Sequence, residues 1–248
     1  MIQSSSPGLS AKKFRVPGTV ILLPTILSED GFAALPEILR TEAASCEVFF
    51  VEELRTARRF LRKLIPGFDI DNRTWHETDL KNPQTSAAFR KALTDGRTVG
   101  IMSEAGCPGV ADPGQELVAI AQEMGAMVRP VTGPSSILLA LMASGMNGQL
   151  FRFNGYLPVD GEGRKKALRE LEQDSVRTGC THIFIETPYR NDAVLDGIIS
   201  VCRPETRVCI AVNITGTSEE IRTKRVSEWK KEKPSLHKTP AIFLISAR

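Results

Sequence analysis

The sequence is short of the residues that most often announce a chemistry. Its 248 residues include three histidines (His76, His182, His237), two tryptophans and two tyrosines. Its five cysteines (Cys46, Cys107, Cys180, Cys202, Cys209) are odd in number and scattered, with no CxxC pair and no histidine in metal-ligand spacing. Free thiols are expected, rather than a disulfide framework or a metal site. No apolar run approaches the roughly 20 residues that span a bilayer, and the opening stretch MIQSSSPGLSAKKFRVPG lacks the apolar core of a secretory signal. A cytoplasmic chain without membrane contact is the expectation. The net charge of +3 is too small to argue for nucleic acid, so that case has to come from local clustering. What remains, 42% hydrophobic and 25% charged, suits a globular chain that buries a sizeable core.

Apolar runs alternate with helical patterns. Residues 1–17 are rich in Ser, Pro and Gly, carry Lys12, Lys13 and Arg15, and read as a flexible tail. Strands are expected at 20–23, 48–51, 98–102 and 126–131, with helices at 54–65, 86–94 and 113–124. Alternation of this kind implies βαβ units and a mostly parallel sheet. Asp112, Pro113 and Gln115 read as the N-cap, first and third positions of the helix 113–124. Beyond Gly133-Pro134 the pattern changes to helices at 137–143, 164–173 and 191–202 and strands at 183–185, 207–212, 220–226 and 241–246. The expected fold class is α/β, with an N-terminal domain over 18–132 and a C-terminal domain with a mixed sheet over 133–248.

The densest punctuation is Ser103-Glu104-Ala105-Gly106-Cys107-Pro108-Gly109-Val110-Ala111-Asp112-Pro113-Gly114, between an expected strand and an expected helix. Ligands of open α/β sheets bind at the carboxyl ends of the strands, where such a loop sits. Its glycines and prolines make a stiff turn whose backbone can approach a ligand closely. No Lys-Ser/Thr follows, which argues against a triphosphate loop. Spacing alone fits a plain, well-capped turn equally well. A second turn, Val131-Thr132-Gly133-Pro134-Ser135-Ser136, also follows a strand and opens a helix, offering hydroxyls and backbone N–H groups to a polar ligand.

These segments carry a resemblance. SEAGCPGVADPG is similar to the SDAGTP-x-x-x-DPG loop of the family that methylates a cytidine 2′-O in small-subunit ribosomal RNA, a branch of the tetrapyrrole methylase superfamily. GPSS resembles that family's PGPSA-type turn, and Phe153-Asn154-Gly155-Tyr156-Leu157-Pro158 its F-x-G-F-L-P segment. Ile185-Glu186-Thr187-Pro188-Tyr189-Arg190 resembles Y-E-S-P-H-R, and Pro24-Thr25 keeps part of the first loop. The similarity runs from about residue 20 to the end.

The resemblance implies two α/β domains with S-adenosylmethionine in the cleft between them, no metal, and a homodimer. Carried over by position, the cofactor residues are Pro24, Thr25, Ser103, Glu104, Ala105, Gly106, Cys107, Val110, Ala111, Asp112, Pro113, Gly133, Pro134, Ser135, Ser136, Glu186, Ala211 and Pro240. The implied partner is ribosomal RNA or the small ribosomal subunit. A poor nucleophile such as a ribose hydroxyl gains from a general base, and Glu52, Glu53, Glu104 and Glu186 are the candidates, with no assignment among them.

The family's P-I-G-N loop is here Pro24-Thr25-Ile26-Leu27, its E-D-T-R is Glu52-Glu53-Leu54-Arg55, and Glu104 stands in place of Asp. Its aromatic-His-x-His-Asn segment survives only as Trp75-His76-Glu77. Donor-facing loops are thus better kept than acceptor-facing ones. Two other readings stay open, a small-molecule methyltransferase acting on a tetrapyrrole and a cofactor-binding module without turnover. Arg55, Arg58, Arg59, Arg62 and Lys63 recur at helical spacing opposite Leu54, Ala57, Leu61 and Leu64. The four arginines are candidate phosphate-binding residues, and a solvated helix face is the alternative.

Overall fold

The computed structural model describes residues 17–79 and 81–247; the sixteen residues that make up nearly all of the expected tail lie outside them. The first half of the chain runs β1 (Thr19–Leu22), α1 (Ile38–Ser45), β2 (Val48–Val51), α2 (Leu54–Leu64), β3 (Thr74–Glu77), α3 (Pro83–Thr94), β4 (Thr98–Met102), α4 (Gly114–Glu123) and β5 (Met127–Pro130). A 3-10 turn, Gly31–Ala34, precedes α1. The second half runs α5 (Ser136–Ser144), β6 (Phe151–Tyr156), α6 (Gly161–Thr178), β7 (Thr181–Ile185), α7 (Asn191–Val201), β8 (Arg207–Val212), β9 (Glu220–Arg225), α8 (Val226–Lys231) and β10 (Ala241–Ser246).

The first sheet has the order β3-β2-β4-β1-β5 with every pairing parallel. Successive side chains of a strand point to opposite faces, and both faces here are covered. Ile21, Leu23, Phe49 and Val51 pack against α1 and α2, while Val20, Val48, Phe50 and Val99 pack against α3 and α4. All four residues of β2 are buried, which explains an uninterrupted VFFV. Each such large side chain contributes about 1.5–3 kcal/mol on leaving water. The second sheet has the order β6-β7-β10-β8-β9, parallel only between β6 and β7. One of its faces packs on α6, α7 and α8; the other, through Ile183, Cys209, Ile242 and Leu244, packs on α5. The expected α/β class, with one mostly parallel and one mixed sheet, is the architecture observed.

Local signals fix the helix starts. Asn82 accepts the N–H of Gln84 ahead of Pro83, and Asp160 accepts that of Gly163. The start expected at Asp112 is corrected: the cap position falls on Pro113 and the helix begins at Gly114. Asp112 is instead bent back into the loop, as described below. Among the described residues no helix is long and apolar enough to cross a membrane.

The two halves are also tied by hydrogen bonds between the segment after β1 and the 213–217 turn. Ser28 Oγ donates to Ile214 O (3.1 Å), and Asp30 Oδ2 accepts the N–H of Thr217 (2.9 Å). The 213–217 turn is tight, with Thr215 held at φ 69°.

Candidate active site

Parallel strands deliver their carboxyl ends to one edge of the first sheet. There β1 opens into Pro24-Thr25, β2 into Glu52, β4 into Ser103, and β5 into the 131–135 turn. The loops are tied to each other. Thr25 donates its N–H to Gly106 O (2.8 Å), and Thr25 Oγ1 donates to Ser103 O (3.3 Å). Cys107 Sγ lies 3.5 Å from Pro134 O. Gly133 packs so closely on Pro24 that an added Cβ would sit 2.1 Å from the proline Cβ. Only glycine permits that approach.

The long loop is stiffened from within. Asp112 accepts the N–H of Gly109 through Oδ2 (2.7 Å) and that of Gly114 through Oδ1 (2.6 Å). Charge-assisted bonds of this length are among the stronger ones available to a loop. Within the turn they close, Gly109 stands at φ 84° and Ala111 at 61°, while Gly106, tied to Thr25, stands at 75°. A left-handed alanine costs energy that the surrounding bonds have to offset.

This loop forms one wall of a cavity of about 270 Å³ that spans the two halves of the chain. Ser103, Glu104, Ala105, Gly106, Cys107, Val110, Ala111 and Asp112 line it from the first half, together with Leu27 and Glu52. Ser135, Ser136, Ile137, Phe153, Tyr156 and Ile185 close it from the second. The N-cap residue of α5, Ser135, makes no side-chain cap bond, which leaves its hydroxyl and the helix N–H groups for a polar ligand. Of the sequence candidates, Thr25 lines a neighbouring cavity. Pro24, Pro113, Gly133, Pro134, Glu186, Ala211 and Pro240 line neither. Pro24, Gly133 and Pro134 act as buttresses of the loops. Ala211 is buried opposite Ile242, and Pro240 O accepts the N–H of Asn213. Leu27, Ile137, Phe153, Tyr156 and Ile185 join the lining without a sequence motif that marks them as binding residues. Ile137 stands at the start of α5, Tyr156 and Ile185 at the ends of β6 and β7, and Phe153 within β6.

The four candidate carboxylates separate. Glu53 is the N-cap of α2, accepting the N–H groups of Arg55 (2.8 Å) and Thr56 (2.5 Å), and the Thr56 hydroxyl and these N–H groups hold it below the usual carboxylate range. Glu186 is buried, accepts the N–H of Thr187 and pairs with Arg190, each at 2.6 Å. Glu52 and Glu104 both face the cavity. Burial pushes both carboxyls up; beside Glu52, the charges of Asp112 and Glu104 add to the rise, and beside Glu104 that of Glu53 does. A raised, cavity-facing carboxyl is what general-base work requires.

A second cavity, about 380 Å³, adjoins the first and shares Leu27, Ser103, Glu104 and Ala105 with it. Arg59 and Lys63 of α2 line it with Phe32, Phe60, Thr56 and Glu29. The side chains of the basic stripe divide by contact. Arg58 turns to the ring of Trp75 (5.2 Å) and Lys63 to that of Phe32 (4.4 Å), while Arg55, Arg59 and Arg62 are exposed. At about 100° per residue the five positions span an arc of roughly 140°, with Arg58 and Lys63 at its two edges. No ion pair among the described residues engages any of the five.

A third cluster lies at the opposite end of β7. Asp174, Cys180 and His182 offer ligand atoms within 4.8 Å of one another. Asp174 already pairs with Arg177 (2.6 Å) and stands 3.1 Å from His182 Nε2. Burial pushes the histidine down.

A parallel sheet covered by helices on both faces and a mixed sheet, with a loop-lined cavity between them, define the class of the fold as α/β. The model of the tetrapyrrole (corrin/porphyrin) methylases matches residues 39–229, and the chain belongs to that family. It is 30% identical over 205 residues to ribosomal RNA small subunit methyltransferase I of Vibrio cholerae, covering 82% of this chain and 68% of that protein. It spans 57–64% of the length of several other relatives of that name, and 90% of the one from Leptospira borgpetersenii. Among solved structures, the methyltransferase CobJ is similar in fold, with a TM-score of 0.60 at 16% identity over 94% of each chain. So is a uroporphyrin-III C-methyltransferase from Thermus thermophilus complexed with S-adenosylhomocysteine, with a TM-score of 0.54 at 15% identity over 92% of this chain and 97% of that one.

Proposed function

We propose that this chain transfers a methyl group from S-adenosylmethionine to a ribose 2′-hydroxyl of small-subunit ribosomal RNA. The observation that carries the donor half is the cavity walled by residues 103–112 and closed by Ser135, Ser136, Phe153 and Tyr156. Its chemistry fits the donor: aromatic and aliphatic side chains for a flat adenine, hydroxyls and backbone N–H groups for the polar ends, and carboxylates, half-buried at Glu52 and Asp112 and exposed at Glu104, for a cationic sulfonium. When bound, the donor supplies an activated methyl group. The chain's part is to hold the acceptor oxygen in line with that methyl, exclude water, and take the hydroxyl proton. Glu104, shared by both cavities, is the residue proposed to accept it. The relatives named for ribosomal RNA support the acceptor half.

The proposed assembly is a homodimer working in the cytoplasm on ribosomal RNA or the small subunit. α5 supports it. One side of that helix packs on the second sheet, while Leu138 and Met142, four residues apart, are 50% and 77% exposed. An apolar ridge of this kind suits a two-fold contact.

The test is incubation with methyl-labelled S-adenosylmethionine and either ribosomal RNA, intact small subunits or a uroporphyrinogen. Label in RNA or subunits is the expected outcome. Label only in the tetrapyrrole would replace the reading with its small-molecule alternative.

A further inference from the structure

We propose that the cavity between the Gly31–Ala34 turn and α2 seats the acceptor nucleotide, with its phosphate held by Arg59 and Lys63 and its base against Phe32. This deepens the RNA reading and rests on it. The cavity has an apolar wall of Phe32 and Phe60, whose rings stack with centroids 5.6 Å apart. Lys63 Nζ lies 4.4 Å over the Phe32 ring, so a flexible cation covers a face that a base can take over as the ammonium moves to a phosphate. Neither Arg59 nor Lys63 has an ion-pair partner among the described residues, and both are exposed. Arg59 and Lys63 feel the charges of Glu104 and Asp30 but form no close pair with them. Two exposed cations beside a ring are the ingredients by which single-stranded RNA is gripped, by stacking and by phosphate contact together.

The position is as informative as the lining. Glu104 belongs to both cavities, so a ribose placed here brings its hydroxyl to the wall shared with the donor site. The lining also discriminates. Glu29 and Glu104 face the cavity along with the cations. A nucleotide brings one phosphate for Arg59 and Lys63, and hydroxyls that donate to carboxylates. A tetrapyrrole carries carboxylates around its whole rim, and some of them would meet Glu29 and Glu104.

The test pairs ultraviolet crosslinking of small-subunit ribosomal RNA, read by mass spectrometry of the peptides, with steady-state methylation by Lys63→Met and Phe32→Leu. Crosslinked nucleotides on peptides within 25–32 or 54–63 are expected. Each variant should raise KM for RNA about tenfold, the equivalent of one modest contact, with donor affinity by calorimetry and melting temperature unchanged. If the unaltered chain neither crosslinks to nor methylates ribosomal RNA, the RNA reading falls and this assignment with it. If it methylates RNA but crosslinks elsewhere, or both folded variants keep KM and kcat, the acceptor cavity alone is overturned.

Discussion

The backbone N–H of Glu104 lies 3.4 Å from Oε1 of Glu52, seating two carboxyls side by side in the wall of the cleft. Burial raises both above the value of 4.5 for a free glutamate. Activity that needs Glu104 ionised is therefore lost as pH falls through that raised value. Stability has the opposite sign: a raised carboxyl favours the fold at low pH, and that contribution is lost as pH rises through it. Glu104→Gln should cut kcat by about 10²–10⁴-fold while the melting temperature at pH 8 does not fall. A pH–rate profile and a thermal melt check the two halves.

Asp112 sets the shape of the donor loop through its bonds to Gly109 and Gly114. Asp112→Ala removes both acceptors and frees the left-handed Ala111. Donor affinity measured by calorimetry should fall about tenfold or more, and unfolding free energy by roughly 1–3 kcal/mol for the two N–H groups left without a partner.

Which features were legible in the sequence follows from burial. β2, β4, β8 and β10 fell where expected because strands buried on both faces read as unbroken apolar runs. β3 leaves no such signal, because a half-exposed edge strand of sequence TWHE has no apolar run. α1, ILRTEAAS, is two turns long and buries only Leu39 and Ala43, too little for a periodic signal. In the site, loop punctuation revealed residues 103–112, since glycine and proline act locally. It could not place Phe32, or the Lys63 of the basic stripe, on the cavity that Glu104 also lines, because that depends on how α2 packs. Nor could it show Arg58 turning away to Trp75.

Arg55 and Arg62 are exposed and stand outside the second cavity. As phosphate contacts they displace condensed counterions, at about 0.7 per contact for single strands. Arg55→Ala together with Arg62→Ala should make the log–log salt slope of RNA binding shallower by roughly 1.4. Filter binding between low and physiological salt measures it; an unchanged slope would return these residues to a solvated helix face.

Met142→Asp places a charge on the exposed ridge of α5 without touching the sheet-facing side. If the ridge is a two-fold contact, the mass by light scattering should drop to the 27.2 kDa of one chain. The unaltered chain should give about twice that at micromolar concentration.

The most direct measurement asks where a transferred methyl resides. Ribosomal RNA labelled by this chain is digested with alkali, which cleaves only next to a free 2′-hydroxyl. Methyl transfer to ribose predicts label in an alkali-resistant dinucleotide, abolished by Glu104→Gln. Label released as a mononucleotide methylated on its base, or no label in RNA from either free RNA or small subunits, would contradict the account.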